Sequence, residues 1–213
     1  MSRLQVYRIL ADKILNQEYP PNYVLKATAI AKELGISATP VREAFIWLEA
    51  DHLIDRTRNS SPVVTVPQFE TVREALNIRH QLAPLVARLV MRFFNDKVVT
   101  EIENIITETR DTDDLRQLVA LDARFHNVLN TATRNALLVD TLARLRLQMQ
   151  RLWLGETDGG RYSAQRIEDY ELCLSALREK DTEKLAKVLQ SHQLRFVQEL
   201  NASLLDDLGT SSD

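Results

Sequence analysis

The sequence predicts a mainly α-helical protein, in which an N-terminal unit of three helices and a two-stranded wing precedes an antiparallel bundle of about six helices. Only five glycines and six prolines occur among its 213 residues, so tight turns are few. Apolar residues recur at helical spacing along most of the chain. Two short runs rich in β-branched residues, both before residue 67, are typical of strands. These observations place a domain boundary between residues 1–66 and 67–213.

The first two helices are delimited by turn residues. Apolar positions predict a helix over 4–16, which the segment EYPPNY ends. Asn22 follows a proline in that segment and suits a left-handed turn, because asparagine accepts a positive φ better than most residues. A second helix is expected over 27–34, with Gly35 as its C-terminal cap.

The third helix is followed by the two strand-like runs. Ser37 or Thr39 can cap its N-terminus, and Pro40 suits its first turn. Its buried stripe consists of Val41, Ala44, Phe45 and Leu48. The runs LIDR and VVTV, which TRNSSP separates, then form the wing.

From Pro67 onward the pattern is helical, with breaks at FND, RDTDD, TRN, ETDGG and KDT. The predicted helices span 68–94, 97–109, 113–131, 135–154, 163–179 and 182–205. Six helices of these lengths form a bundle with one shared interior. Pro84 lies inside the first of them and removes the hydrogen bond to the carbonyl of His80, so we expect a kink there.

Composition and charge exclude several classes of protein. Arg88 and Arg92 interrupt the longest apolar stretch, which therefore falls short of the about 18 residues of a membrane span. The segment MSRLQVYRIL lacks the separate apolar core of a signal peptide, so we expect a cytoplasmic protein. Cys173 is the only cysteine, which excludes an intrachain disulfide and a cysteine-based zinc site, and we expect it to be buried.

The net charge of −3 is unevenly distributed. Residues 1–66 hold eight lysines and arginines against seven acidic residues, whereas the rest of the chain is acidic overall. A polyanionic partner therefore suits only the N-terminal unit, and even there the positive excess is small.

Two parts of the chain resemble a known family. The segment ILNQEYPPNYVLKATAIAKELGISATPVREAFIWLEADHLIDR resembles the winged helix-turn-helix of the GntR family of bacterial transcription regulators, most specifically in ISATPVREA. DARFH at 122–126 and AKVLQSHQLRF near the end resemble the all-helical effector domain of the FadR-type subfamily. The resemblance implies a ligand-responsive regulator that is not an enzyme. Such a protein binds a double-stranded DNA operator as a homodimer, because a two-fold protein matches a palindromic site.

The resemblance implies that the third helix lies in the major groove. The candidate DNA contacts are Ser37, Thr39 and Arg42 near its start, and Arg56 and Arg58 beside the wing. Arg42 can donate two hydrogen bonds to a guanine or to a phosphate. A solvated helix face is the plainer interpretation of each arginine alone, but the ordered helix-turn-helix and wing favour DNA binding.

The chain departs from the family pattern at several of these positions. Ala38 stands where the family usually has arginine, and Thr28 stands where it usually has a basic residue. His52 replaces a glycine before the wing, and residues 60–62 (SSP) replace the glycine of its tip. The two missing basic contacts predict either weaker DNA binding or a different operator sequence.

Three polar residues on apolar helix faces are candidate metal ligands. Asp122 and His126 are one helical turn apart on a face with Leu118 and Leu129, and His192 has a similar apolar setting. The resemblance matches these three residues to the ligands of a divalent metal such as zinc, nickel or manganese. The fourth ligand position is Tyr170, whose phenol is a poor ligand at neutral pH. Two alternatives follow, a weakly held metal or a metal-free cluster in which Tyr170 donates to Asp122 or to a histidine.

The same pocket offers candidate effector-binding residues. Arg79 lies one turn before Pro84 and matches a family position that lines the pocket, which suits the carboxylate of a small organic acid. Tyr170 and Arg146 are further candidates for effector contacts. Ala83 replaces a glutamate that is common in the family near this point, so the effector can differ from those of relatives.

Two other functions compete with the ligand-responsive regulator. One is a metal-dependent, hydrolase-like helical enzyme, although the sequence has no HExxH motif, nucleophile motif or Gly-rich phosphate loop. The other is an effector sensor that has lost DNA binding and acts through protein partners, which Ala38 and Thr28 make credible.

Overall fold

The computed structural model describes residues 1–56, 61–153 and 159–195. The helices are α1 Arg3–Leu15, α2 Ala27–Glu33, α3 Ala38–Ala50, α4 Phe69–Phe93, α5 Asp96–Arg110, α6 Leu115–Ala132, α7 Ala136–Trp153 and α8 Gly159–Glu179, followed by α9 over 182–195. The strands are β1 Ile54–Asp55 and β2 Val63–Val64. The predicted mainly α fold, with a small N-terminal wing and a helical C-terminal part, is therefore confirmed.

The described chain divides into two compact units, one formed by Met1–Thr71 with Gln150–Leu152 and the other by Val72–Met149 with the described residues from Trp153 onward. Each unit has its own core of buried apolar residues. Within the described residues, every helix is too short or too polar to cross a bilayer.

In the first unit, α1 and α2 pack against α3. The predicted stripe of α3, formed by Val41, Ala44, Phe45 and Leu48, is buried together with Val6, Leu10 and Ile14 of α1. The hydroxyl of Tyr7 donates to the carboxylate of Asp51 at 2.5 Å and joins α1 to the end of α3. The strands β1 and β2 are antiparallel, with Ile54 opposite Val64.

The start of α3 differs slightly from the predicted capping. Ser37 is the N-terminal cap residue by position, but its side chain forms no capping hydrogen bond, and Thr39 lies inside the helix. Both side chains are exposed. Their hydroxyl groups are therefore not tied to the backbone of α3 as N-terminal caps.

The helices α2 and α3 end with the same pattern of backbone hydrogen bonds. After α2, Gly35 has φ +65°, the amide of Ile36 donates to the carbonyl of Ala31, and the amide of Gly35 donates to that of Lys32. The same pair of bonds closes α3, where His52 has φ +56°. This arrangement favours glycine at the left-handed position, which explains physically why the family has glycine where this chain has His52. The predicted left-handed turn at Asn22 is also confirmed, at φ +68°.

In the second unit, α5 packs against α6 and α8. The predicted burial of Cys173 is confirmed, and burial raises the pKa of its thiol to about 12. The helix α8 begins at Gly159, four residues before the predicted start, so two glycines lie in its first turn. Glycine is costly chiefly in a helix interior, so Gly159 and Gly160 are tolerated at the start of α8. The predicted end of the last helix, beyond residue 195, lies outside the described residues.

Pro84 lies inside α4, as predicted. The carbonyl of His80, which loses its helical partner there, accepts a hydrogen bond from the side-chain amide of Gln190 at 3.4 Å. A side chain of α9 thus provides the donor that the proline removes from α4. The kink itself stays a prediction.

Replacing His52 by glycine should raise the free energy of unfolding by up to about 1 kcal/mol, because His52 is exposed and its left-handed backbone is strained. Urea unfolding of the full chain measures the change. The matched control is Gly35→Ala, which has open space for the added Cβ and should destabilise through backbone strain alone. A His52→Gly variant less stable than wild type would contradict this account.

Candidate functional site

The exposed face of α3 carries the predicted DNA-contacting side chains. Ser37, Thr39 and Arg42 are exposed, whereas Val41 and Phe45 anchor the helix to the core of the first unit. Among the described residues, Arg42 forms neither an ion pair nor a side-chain hydrogen bond. Its guanidinium is therefore available to an external anion or base.

The wing contributes one described arginine. Arg56 follows β1 and lies 3.5 Å from a carboxylate oxygen of Glu49 near the end of α3, and both side chains are exposed. An exposed pair of this kind is weak, so the Arg56 guanidinium can exchange Glu49 for a phosphate. Arg58 lies outside the described residues.

A buried polar cluster occupies the interior of the second unit. Asp122 and His126 are on α6, and His192 is on α9. The Nε2 atoms of the two histidines are 3.2 Å apart, and each lies 3.7 Å from a carboxylate oxygen of Asp122. The structure thus brings together the three predicted metal ligands from two helices.

Two further predicted residues complete this cluster. Tyr170 of α8 donates its hydroxyl to Asp122 at 3.1 Å. Arg79 of α4 donates to the backbone carbonyl of Leu142 at 3.1 Å, and its other terminal nitrogen lies 3.3 Å from Nδ1 of His126. Four helices therefore contribute side chains to one buried centre.

Sequence reasoning missed three residues that surround His192. Arg166 and Asp169 of α8 are buried, and Nδ1 of His192 lies 2.8 Å from Asp169 and 3.0 Å from Arg166. Arg195 of α9 pairs with the other carboxylate oxygen of Asp169. The helical spacing along α8 could have indicated them, because Arg166, Asp169 and Tyr170 lie on the helical face that continues into the apolar core.

The contacts define where the imidazole protons lie. An arginine can only donate, so Nδ1 of His126 accepts from Arg79 and Nε2 carries the proton. That proton is donated to Nε2 of His192, whose own Nδ1–H is donated to Asp169. We assign this bond to Asp169 rather than to Arg166 because the carboxylate is closer and can accept. The result is a continuous chain of hydrogen bonds that starts at the guanidinium of Arg79 and ends at the accepting carboxylate of Asp169.

Burial sets the charges of these groups. Burial lowers the pKa of His126 well below its usual value, and Arg79 and His192 lower it further. The imidazole is therefore neutral near pH 7. Burial also lowers the pKa of Arg79 to about 10, although Asp122 opposes the shift. Arg79 accordingly stays charged near pH 7.

Arg146 of α7 lies at the edge of this centre. Its side chain is half-buried, and its charge further lowers the pKa of both Arg79 and His126. The buried cluster and its edge thus contain all three predicted effector residues, Arg79, Tyr170 and Arg146. That environment contains more cationic than anionic side chains.

The donor set fits a divalent metal in number and spacing. Ligands of one tetrahedral zinc with bonds of about 2.1 Å lie about 3.4 Å apart, which agrees with the distances among Asp122, His126 and His192. Asp169 also suits a metal-bound His192, because ligand histidines commonly donate their other N–H to a carboxylate. His126 fits less well, since its Nδ1 faces Arg79 and the proton occupies the nitrogen that would bind the metal.

The family models match both parts of the chain. The model of bacterial regulatory proteins of the gntR family matches residues 2–64, and the FCD domain matches residues 74–195. The chain belongs to the GntR family, in its FCD-domain subfamily. It is therefore a DNA-binding transcription regulator that responds to a small-molecule effector.

Individual relatives agree with this assignment. The chain is similar to the HTH-type transcriptional repressor RspR of Escherichia coli, with 24% identity over 98% of this chain and 91% of that protein. It is 29% identical to the uncharacterized regulator YdhC of Bacillus subtilis, a match that covers 62% of this chain and 61% of the other.

A solved structure described as E. coli McbR/YncC has the same fold, with a TM-score of 0.83, 20% identity and coverage of 94% of this chain and 97% of that one. The matched proteins are transcription regulators, which favours a regulator over the hydrolase-like alternative.

Replacing Tyr170 by histidine should increase the metal content of the purified protein, because an imidazole supplies the neutral donor that the phenol lacks. Elemental analysis after soaking in zinc, nickel or manganese measures the metal, and thermal unfolding measures the stabilisation that it gives. The matched control is Tyr170→Phe, which removes the bond to Asp122 without adding a ligand.

A metal-free cluster predicts the opposite behaviour. Tyr170→His would then lower the melting temperature with or without added metal, because it breaks the bond to Asp122. An absence of metal from wild type and from both variants would exclude the metal site.

Proposed function

We propose that this regulator binds a small organic acid in the buried cluster and a palindromic operator as a cytoplasmic homodimer. Effector binding changes operator affinity because the acid binds two arrangements of the protein with different affinities. The observation that supports a carboxylate effector is that Arg79 is buried and charged but donates its hydrogen bonds to uncharged acceptors.

Arg79 is 2% exposed and charged, yet its hydrogen bonds go to a carbonyl and to a neutral imidazole. Its Nε is buried without a hydrogen-bond partner among the described residues. A buried guanidinium is costly unless an anion compensates its charge, and a planar carboxylate matches its paired donors. Asp122 lies close enough to raise the pKa of Arg79, but the hydrogen bonds of Arg79 go to other groups. A carboxylate ligand supplies the missing anionic acceptor.

A divalent ion, where one binds, is held weakly by Asp122, His126 and His192. Such an ion supplies Lewis acidity toward a second oxygen of the acid. The role of the protein side chains does not depend on it, since Arg79 and Arg146 attract the anion directly.

DNA binding is proposed to depend on Thr39 and Arg42 at the base edges, with Ser37, Arg56 and Arg58 near phosphates. Ala38 and Thr28, where the family usually has basic residues, predict weaker operator binding or a different operator sequence. Among the described residues, the exposed and unpaired guanidinium of Arg42 supports contact with DNA through α3.

Replacing Arg42 by alanine should weaken binding to the DNA upstream of the protein's own gene by at least tenfold, because one bidentate contact is worth about 1–3 kcal/mol and occurs twice in a dimer. Gel-shift titrations at two salt concentrations measure the loss. Arg88→Ala, at an exposed arginine of α4, is the control for the change in charge. Equal operator affinity of wild type and Arg42→Ala would exclude this helix as the DNA contact.

Replacing Arg79 by methionine should abolish the thermal stabilisation that a small carboxylate gives to wild type, since the variant keeps the volume but loses the charge. A thermal-shift screen of mono-, di- and tricarboxylates finds the ligand, and the same acids are then tested on the variant. Operator binding should persist but no longer respond to the acid. Arg88→Met serves as the control, and an unchanged response in Arg79→Met would assign the carboxylate to another residue.

A further inference from the structure

The outer face of α3 contains one apolar side chain that the assigned contacts do not use. Ile46 is 54% exposed and lies outside the predicted stripe, whose residues Val41, Ala44, Phe45 and Leu48 are buried. A single exposed isoleucine is ordinary on a protein surface, so its exposure alone identifies no partner. Its neighbours on the helix decide what it can contact.

Ile46 lies on the same helical face as Thr39, Arg42 and Glu43, all of which are exposed. Their spacing of i, i+3, i+4 and i+7 is the spacing with which the reading helix of a homeodomain contacts base edges in the major groove. Thr39 and Ile46 are about 10 Å apart along the helix axis, which corresponds to about three base-pair steps. The four residues thus form one strip of the right length to contact a short run of bases.

Glu43 indicates which part of the DNA this strip faces. Its carboxylate is exposed and, within the described part of the chain, has neither an ion pair nor a side-chain hydrogen bond. Phosphates would repel it, whereas the amino group of a cytosine in the major groove can donate to it. The middle of α3 therefore suits base edges better than the phosphate backbone.

We propose that Ile46 contacts the 5-methyl group of a thymine in each operator half-site. The inference rests on the proposed docking of α3 in the major groove. A side chain without polar atoms can recognise only an apolar group on a base edge, and the thymine methyl is the apolar group that the major groove presents. Ile46 follows Arg42 by one turn, so this thymine lies within about two base pairs of the base that Arg42 contacts.

The test uses the full-length protein and an operator selected in vitro from randomised duplexes. Each thymine of one half-site is replaced in turn by deoxyuridine, which lacks only the 5-methyl group. At one thymine the dissociation constant should rise about fourfold, as expected for the loss of one buried methyl group. The same substitution should have no effect on the Ile46→Ala variant, because the variant has already lost the contact.

The control is Ile78→Ala, at an exposed isoleucine of α4, which should respond to deoxyuridine as wild type does. The proposal is overturned if no deoxyuridine changes wild-type affinity, or if Ile46→Ala loses as much affinity as wild type. Those results leave the regulator assignment intact provided that Arg42→Ala weakens operator binding by at least tenfold. Failure of the wild-type protein to select any sequence would overturn both.

Discussion

The second unit depends on the mutual satisfaction of polar groups buried between α4, α6, α8 and α9. Asp122, His126 and His192 have less than a tenth of their surface exposed, and each requires partners that water would otherwise provide. The bonds from Tyr170 to Asp122, from Arg79 to His126 and from His192 to Asp169 provide them. Because these partners come from different helices, the network fixes the positions of the helices as well as the protonation of the histidines.

Most of this fold follows from local patterns in the sequence. The stripes of α3 and α6, the cap at Gly35 and the left-handed Asn22 all depend on neighbours within a few residues, and the structure confirms them. Partners that are distant in sequence could not be predicted in the same way. The bond from Gln190 to the carbonyl of His80 joins residues 110 positions apart, and no pattern around Gln190 indicates it.

The buried cluster shows the same limit. Asp122, His126 and His192 could be predicted because they interrupt apolar stripes and match a family motif. Arg166 and Asp169 interrupt the stripe of α8 as well, but their pairing with a histidine depends on how α8 and α9 pack. Helical register predicts which residues point inward, whereas tertiary packing decides which of them meet.

The contact between Arg79 and His126 links the binding of an effector to the binding of a metal. In the present arrangement Arg79 donates to Nδ1 of His126, which places the imidazole proton on the nitrogen that faces Asp122 and His192. A carboxylate that binds Arg79 competes for this donor. The proton of His126 can then move to Nδ1, which would leave the lone pair of Nε2 to hold a metal if one binds. Under the proposed function an acid and a metal therefore favour each other's binding, since a metal adds positive charge that a second anionic oxygen compensates.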